Sequence, residues 1–154
     1  MPLETGTVPA TDGAQAAPEV FSWPIRVYWE DTDASGQVFW ANYLKFFERA
    51  RTEWLRHLGI EQQQLREQTG GIFVVGQAQL EFFEPARLDD QLLVTAAVAS
   101  SGRASLTIRQ LARLAPGSAR GPVLLSQALI RIGWVQAASL RPARIPNRLL
   151  EQLS

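Results

Sequence analysis

The feature that most constrains this chain is a single change of hydrophobic period partway along it. Over residues 42–59 the apolar side chains Tyr43, Phe46, Phe47, Ala50, Trp54 and Leu58 recur at steps of three and four, the spacing that gathers them on one face of an α-helix. Lys45, Glu48, Arg49, Glu53 and Arg56 lie mostly off that stripe, and Arg49 and Glu53 are spaced for an ion pair one turn apart. The pattern predicts an amphipathic helix of about four turns. Gly59 suits its end, because glycine accepts the left-handed angles that close a helix. After Gly70 and Gly71 the period becomes two. Ala78, Leu80 and Phe82 alternate with Gln77, Gln79 and Glu81, and further alternating runs span residues 92–98, 105–114 and 123–135.

One more alternating stretch precedes the helix. In residues 25–31, Ile25, Val27 and Trp29 face one side and Arg26, Tyr28 and Glu30 the other, which predicts a half-buried strand. A second, shorter helix is predicted over residues 61–68. The turn-rich segments EPARLDD, SSGRA and APGSARGP separate the later strands at spacings that suit antiparallel hairpins. One strand, a long helix and then four strands is an α+β order. Its economical solution is a single helix on one face of a five-stranded antiparallel sheet, curled around it by the natural twist of the strands. At 154 residues the chain has the length of one domain with its own core.

Composition removes several classes of function. Fifteen basic residues balance fifteen acidic ones, so no global charge points to nucleic acid. Residues 100–154 nevertheless hold eight arginines (103, 109, 113, 120, 131, 141, 144 and 148) against the single acid Glu151. These belong either on solvent-facing strand positions or against an anionic ligand. With no cysteine and one histidine there is neither a disulfide framework nor thiolate chemistry nor a His-rich metal site, so carboxylates must carry any acid-base or nucleophilic work. The opening MPLETGTVPATDGAQAAPEV has no basic residue and no apolar run. It is not a signal peptide, and residues 1–20 are predicted to be a disordered tail ahead of a domain at 21–154. No segment reaches the roughly 18 to 20 apolar residues of a membrane span. A soluble, cytoplasmic protein is expected.

The chemistry concentrates in EDTDASGQVFWANY, residues 30–43, which sets three carboxylates and a glycine turn directly before the aromatic-rich helix. Residues two apart in extended chain share a face, so spacing alone leaves both Asp31 and Asp33 as candidates. A plain turn and helix start is the alternative.

The longer block VYWEDTDASGQVFWANYLKFFERARTEWLR, residues 27–56, resembles the central motif of the hotdog-fold thioesterases of the 4-hydroxybenzoyl-CoA thioesterase type. It is most similar to the Tol-Pal-associated acyl-CoA thioesterases, and EPARLDDQLLV and RPARIP agree with that subgroup. The resemblance covers residues 23–154. It implies a hotdog fold, a homodimer whose sheets join edge to edge, often paired again into a homotetramer, and hydrolysis of an acyl-CoA to free acid and coenzyme A without a metal or redox cofactor. In such enzymes a catalytic aspartate precedes the small-residue turn, which here is Asp33, with Glu30 and Asp31 as supporting acids. A carboxylate can attack the thioester carbonyl to give a mixed anhydride, or activate water. The resemblance assigns the backbone N–H of Trp40 to the carbonyl oxygen; Gly36 lets the chain approach a ligand closely, and Phe39 is expected beside it at the substrate.

This chain departs from its relatives at Trp40, where the subgroup commonly has histidine and the hydroxybenzoyl-specific members tyrosine. The backbone donor survives that change; a side-chain proton donor does not, and the indole becomes a wall for an acyl group. Glu48 is the second acid, since some relatives use a helix glutamate, although an ion pair with Arg49 or Arg51 is its plainer role. His57, in the last helical turn, reads as structural. For the phosphates of coenzyme A the family uses the turn between the third and fourth strands, which here offers Arg103, with Arg141 and Arg144 as further candidates. The rival reading is a weakly active scaffold that binds an acyl carrier protein or an envelope-associated partner. A hotdog dehydratase needs a histidine in the pocket, which the position of His57 disfavours.

Overall fold

In the computed structural model, which describes residues 20–154, the elements follow in the order β1 (Phe21–Arg26), α1 (Asn42–His57), α2 (Gln62–Thr69), β2 (Gly71–Phe82), β3 (Gln91–Ser101), β4 (Ser105–Leu114), β5 (Leu124–Gln136) and α3 (Asn147–Leu153). Apart from Val20, the predicted tail lies outside the described residues. The five strands form one antiparallel sheet in the spatial order β1-β3-β4-β5-β2. β3, β4 and β5 are hairpin neighbours, as their turns predict. β2 instead pairs with β5 at the far edge, so the chain crosses the end of the sheet between β2 and β3.

The predicted stripe of α1 is the centre of the core. Tyr43, Phe46, Phe47, Ala50 and Trp54 are buried together with Leu55 against the inward residues of the sheet, among them Leu92 and Val94 of β3, Leu106 and Ile108 of β4 and Ile130 of β5. A long helix held by one face of an antiparallel sheet is the hotdog arrangement. The helix ends as its glycine predicts. Ile60 N–H donates to Leu55 O at 2.8 Å and Gly59 N–H to Arg56 O at 2.9 Å, a pair of reverse bonds that requires a left-handed residue between them. Gly59 supplies it with φ +83°, while buried Leu55 and Ile60 flank the turn.

Three expectations are corrected. The first strand starts earlier and stops at Arg26, and Trp29–Asp31 form a 3-10 turn in place of the strand's second half. Ile25 and Val27 are buried as the alternation predicts, but Trp29 is 76% exposed. The cause is local: the Asp31 carboxylate accepts the Tyr28 N–H at 2.8 Å, a side-chain bond that competes with extended pairing. Second, Glu53 pairs with Arg56 at 2.5 Å and not with Arg49. Third, α3 was not expected. It buries Leu149 and Leu153 after fully buried Ile145, but seven residues are too short to print a period. The three strand arginines Arg109, Arg113 and Arg131 do face solvent.

One polar group sits inside the core. Gln110 of β4 is fully buried. It accepts a bond from Arg51 Nη1 of α1 at 2.9 Å and donates to Phe47 O at 2.9 Å and to Thr95 O at 3.2 Å. Arg51 is itself buried and forms an ion pair with Glu48. Burial pushes the Arg51 guanidinium down from its usual range, with Glu48 opposing the shift. Because every buried side-chain polar atom described has a partner, this network ties the helix to two strands at little net cost. Gln110→Ala leaves the buried guanidinium with its ion pair alone. It is expected to lower unfolding stability by about 3 kcal/mol in urea denaturation, whereas a surface change at Arg109→Ala should cost under about 0.5 kcal/mol.

Candidate active site

The block singled out by its carboxylates folds as a tight loop. Thr32 and Val38 form an isolated antiparallel bridge, Asp33 N–H donates to Gln37 O at 2.8 Å and Gly36 N–H to Asp33 O at 3.0 Å. Gly36 has φ +81°, an angle that residues with a Cβ adopt only at a cost. Nothing lies within 4 Å of where a Cβ would stand. Glycine is therefore required for the turn, and the space beside it is open. The loop is docked on the crossover before β3, where Val38 N–H donates to Ala86 O at 2.9 Å and Leu88 N–H to Gly36 O at 3.0 Å. Ala86 N–H in turn donates to Tyr43 Oη on α1 at 3.0 Å.

The structure distinguishes Asp31 from Asp33, which spacing left together, and places Glu30 apart from both. Asp31 is 4% exposed and its carboxylate is committed to Tyr28 N–H. Glu30 is exposed on the 3-10 turn. Asp33 is exposed, and its Oδ1 accepts both the Ser35 hydroxyl at 2.5 Å and the Ser35 N–H at 2.8 Å. Among the described residues its Oδ2 accepts no bond and remains available. The Ser35 hydroxyl, then the Ser35 N–H, and more weakly the backbone at Gln37 hold this carboxyl below the ordinary aspartate range against a small opposing effect of desolvation. Ser35 is a site residue that sequence reasoning passed over. The Asp-Ala-Ser spacing is the signal, because an aspartate readily accepts the N–H two residues on.

The start of α1 supplies donors. Phe39 N–H is spent on Asp31 O at 3.0 Å, while Asn42 and Tyr43 N–H donate to Phe39 O and Trp40 O at 2.8 and 3.4 Å. The N–H groups of Trp40 and Ala41 have no acceptor among the described residues. They are the free donors that a helix start leaves, at the positive end of its dipole. The rings of Phe39 and Trp40 tilt against each other at 5.7 Å and 55°, and both are exposed, Trp40 by 62%. A free carboxylate oxygen, unspent N–H groups and an aromatic wall thus belong to one loop and helix start. Such a set can hold a polarised carbonyl beside a carboxylate.

Other predicted residues stand elsewhere. Both Glu48 oxygens are engaged, one by Arg51 and the other by the Thr52 hydroxyl at 3.2 Å. His57 closes α1, about 22 Å along the helix from Asn42, with its ring 5.3 Å from Phe21. Arg103 lies exposed in the β3–β4 turn, where its carbonyl accepts Ile145 N–H at 2.8 Å. The Asp33 loop meets the opposite end of β3, on the order of 30 Å away along an extended strand. Arg141 and Arg144 sit at the Arg103 end, in the segment that bonds Gln136 and Arg103. Within one chain these cations do not join Asp33. No cluster of three or more His, Cys, Asp or Glu side chains able to hold a metal occurs among the described residues.

Comparison with known proteins identifies the family. Residues 35–118 match the thioesterase superfamily. The chain is 40% identical over 129 residues to the acyl-CoA thioesterase YbgC of Haemophilus influenzae, covering 84% of this chain and 90% of that one. Among solved structures, a probable thioesterase from Bartonella henselae shares 30% identity at a TM-score of 0.73, over 83% of this chain and all of that one. A 4-hydroxybenzoyl-CoA thioesterase mutant complexed with 4-hydroxybenzoyl-CoA superposes at a TM-score of 0.81, over 88% of this chain and 99% of that one. At 18% identity this last likeness speaks to the fold alone. By the match across its centre and its near full-length relatives, the chain belongs to the thioesterase superfamily.

Proposed function

We propose that this protein hydrolyses acyl-CoA thioesters to free acid and coenzyme A, with Asp33 as the catalytic carboxylate. The observation that carries the reading is the Asp33 side chain itself, oriented through Oδ1 by Ser35 with Oδ2 open to solvent, on the loop that leads to the unspent N–H groups of Trp40 and Ala41. In one route Oδ2 attacks the thioester carbon and expels coenzyme A thiolate, leaving a mixed anhydride that water cleaves. In the other, Asp33 takes a proton from water as the water adds, and the tetrahedral oxyanion collapses to acid and thiolate. Both routes put negative charge on the carbonyl oxygen, where the Trp40 N–H is the donor. Gly36 leaves the approach to the loop open, and Phe39 with Trp40 lines the acyl side. Glu48, with both oxygens engaged, is the weaker candidate.

The working unit in this reading is a homodimer. Arg103 is too far from Asp33 in its own chain, so the coenzyme A phosphates are met by Arg103 of a second copy, with Arg141 and Arg144 near it. The two sheet edges differ in the way such a pairing needs. β1 carries Pro24 opposite Leu93, and proline cannot donate to a further strand. β2 has no proline over its twelve residues and exposes Val75 and Phe82, so it is the edge open to a partner. A scaffold that binds acyl carrier protein remains the rival reading, and a screen across acyl-CoA chain lengths and aromatic acyl-CoAs separates the two. Turnover of none of them favours the scaffold. No described helix is long and apolar enough to cross a membrane.

Asp33→Asn is expected to cut kcat/KM by about a thousandfold or more with an unchanged circular-dichroism spectrum, and near-normal turnover by this variant would remove Asp33 from the mechanism. Because the carboxylate must be ionised and is held below the ordinary aspartate range, activity should persist as pH falls through about 4. Ser35→Ala frees Oδ1, raises the Asp33 pKa and moves the acid limb of the kcat/KM profile upward. For the dimer, light scattering should give at least twice the 17.1 kDa chain mass. Arg103→Ala should raise KM for an acyl-CoA while leaving KM for the matching acyl-pantetheine, which lacks the nucleotide, unchanged.

A further inference from the structure

We propose that Asn42 is a positioning residue that fixes the separation between the Asp33 carboxylate and the Trp40 N–H through the backbone carbonyl of Asp31. This inference rests on the thioesterase reading above, and it concerns a residue to which neither the motif nor the chemistry has yet given a part.

The two reacting groups lie on opposite limbs of the loop. The outgoing limb, residues 31–33, carries the carboxylate, and the returning limb, residues 37–40, carries the donor. Two bonds cross between the limbs and make up the Thr32–Val38 bridge, from Asp33 N–H to Gln37 O at 2.8 Å and from Phe39 N–H to Asp31 O at 3.0 Å. The Asn42 side-chain amide, from the first residue of α1, adds a second bond to the same Asp31 oxygen at 2.8 Å. Both lone pairs of that carbonyl are thereby used, one by the returning limb and one by the helix. Asp31 is well chosen as the anchor. Its side chain is buried and bonded to Tyr28 N–H, so its carbonyl is held from the other side as well.

Besides this amide, the helix start is held to the loop by the Asn42 backbone N–H, which donates to Phe39 O at 2.8 Å. Its cap position is Ala41, which has no side-chain oxygen and makes no cap bond. The first-turn bonds from Tyr43 to Trp40 O and from Leu44 to Ala41 O are long, at 3.4 and 3.2 Å. Trp40 and Ala41 form the turn between the last cross-limb bond and the helix, so their N–H groups are aimed by whatever sets the angle of that turn. Phe39 N–H fixes one side of it and Asn42 Nδ2 the other, both on one oxygen. Without the amide, the free donors can rotate relative to Asp33 while the core under Phe46 and Phe47 stays packed. A displacement of about 1 Å in such a geometry costs on the order of a hundredfold in rate.

The test compares the wild-type chain, Asn42→Ala, Asn42→Asp and Asp33→Asn in steady-state hydrolysis of whichever acyl-CoA the wild type turns over fastest, with kcat scaled to the folded fraction from a thermal melt. Alanine is neutral but removes the polar group from the helix start; aspartate keeps the size and suits the helix dipole but cannot donate. Loss of the donor is the one change common to both. Both variants are expected to lose about tenfold to a hundredfold in kcat with KM within about twofold of wild type. Wild-type kcat in either variant, or a rise in KM at unchanged kcat, overturns the positioning role while leaving Asp33→Asn inactive and the thioesterase reading in place. No hydrolysis by the wild-type chain, or equal hydrolysis by Asp33→Asn, overturns that reading and this inference with it.

Discussion

Burial of one face of α1 against the sheet is the interaction from which the other arrangements descend. Phe46, Phe47 and Ala50 lose all contact with solvent there, and Tyr43, Trp54 and Leu55 nearly all. At about 1.5 to 3 kcal/mol for each large side chain fully buried, that stripe is a large source of stability. It also fixes a direction. With the stripe facing the strands, the start of α1 must emerge beside the crossover that precedes β3, since Tyr43 Oη accepts the Ala86 N–H there. The loop holding Asp33 is then confined to the mouth of the core, between a packed helix and a docked crossover, with its own side chain outside. Core packing and site geometry are thus one problem, solved at Tyr43.

The buried Gln110–Arg51 pair refines that solution. An apolar stripe on an apolar sheet tolerates rotation of the helix and sliding along its axis, because hydrophobic burial has no direction. The bond that Gln110 accepts from Arg51 and those it donates to Phe47 O and Thr95 O do have direction, and they span helix and sheet. They single out one rotation and one register among those the hydrophobic surface permits. The same network engages Glu48 through Arg51, which gives the helix acid a structural part.

Much of this was legible in the letters, and the limits are physical. The period of α1, the left-handed glycine at 59 and the boundaries of β4 are local properties that short stretches specify by themselves. The order of strands was half legible. Hairpin neighbours follow from turns, but the placement of β2 beside β5 depends on a long-range pairing that no local pattern encodes. The first strand failed at Asp31, where a side-chain bond to Tyr28 N–H overrode an alternation that looked regular, and Trp29 was turned outward. Helix α3 is held by three buried apolar residues that only tertiary contact identifies. At the site, the family motif pointed to Asp33 and Trp40, whereas Ser35 and Asn42 emerged only from their hydrogen bonds, because a serine and an asparagine beside a turn are ordinary residues until their partners are known.

The contrast between the sheet edges has a further meaning for how the protein behaves at high concentration. An exposed strand edge templates the next strand, and two open edges per molecule allow an endless ribbon. Among the described residues only β2 is an uninterrupted edge, because Pro24 interrupts the donors of β1. In the proposed pairing each molecule spends its open edge on its twin, and what remains outward at both ends is an interrupted β1. Assembly then terminates at a closed, symmetric particle instead of propagating. In that pairing, one imino acid in a six-residue strand is the stop signal that keeps an extended sheet from becoming the seed of a fibre.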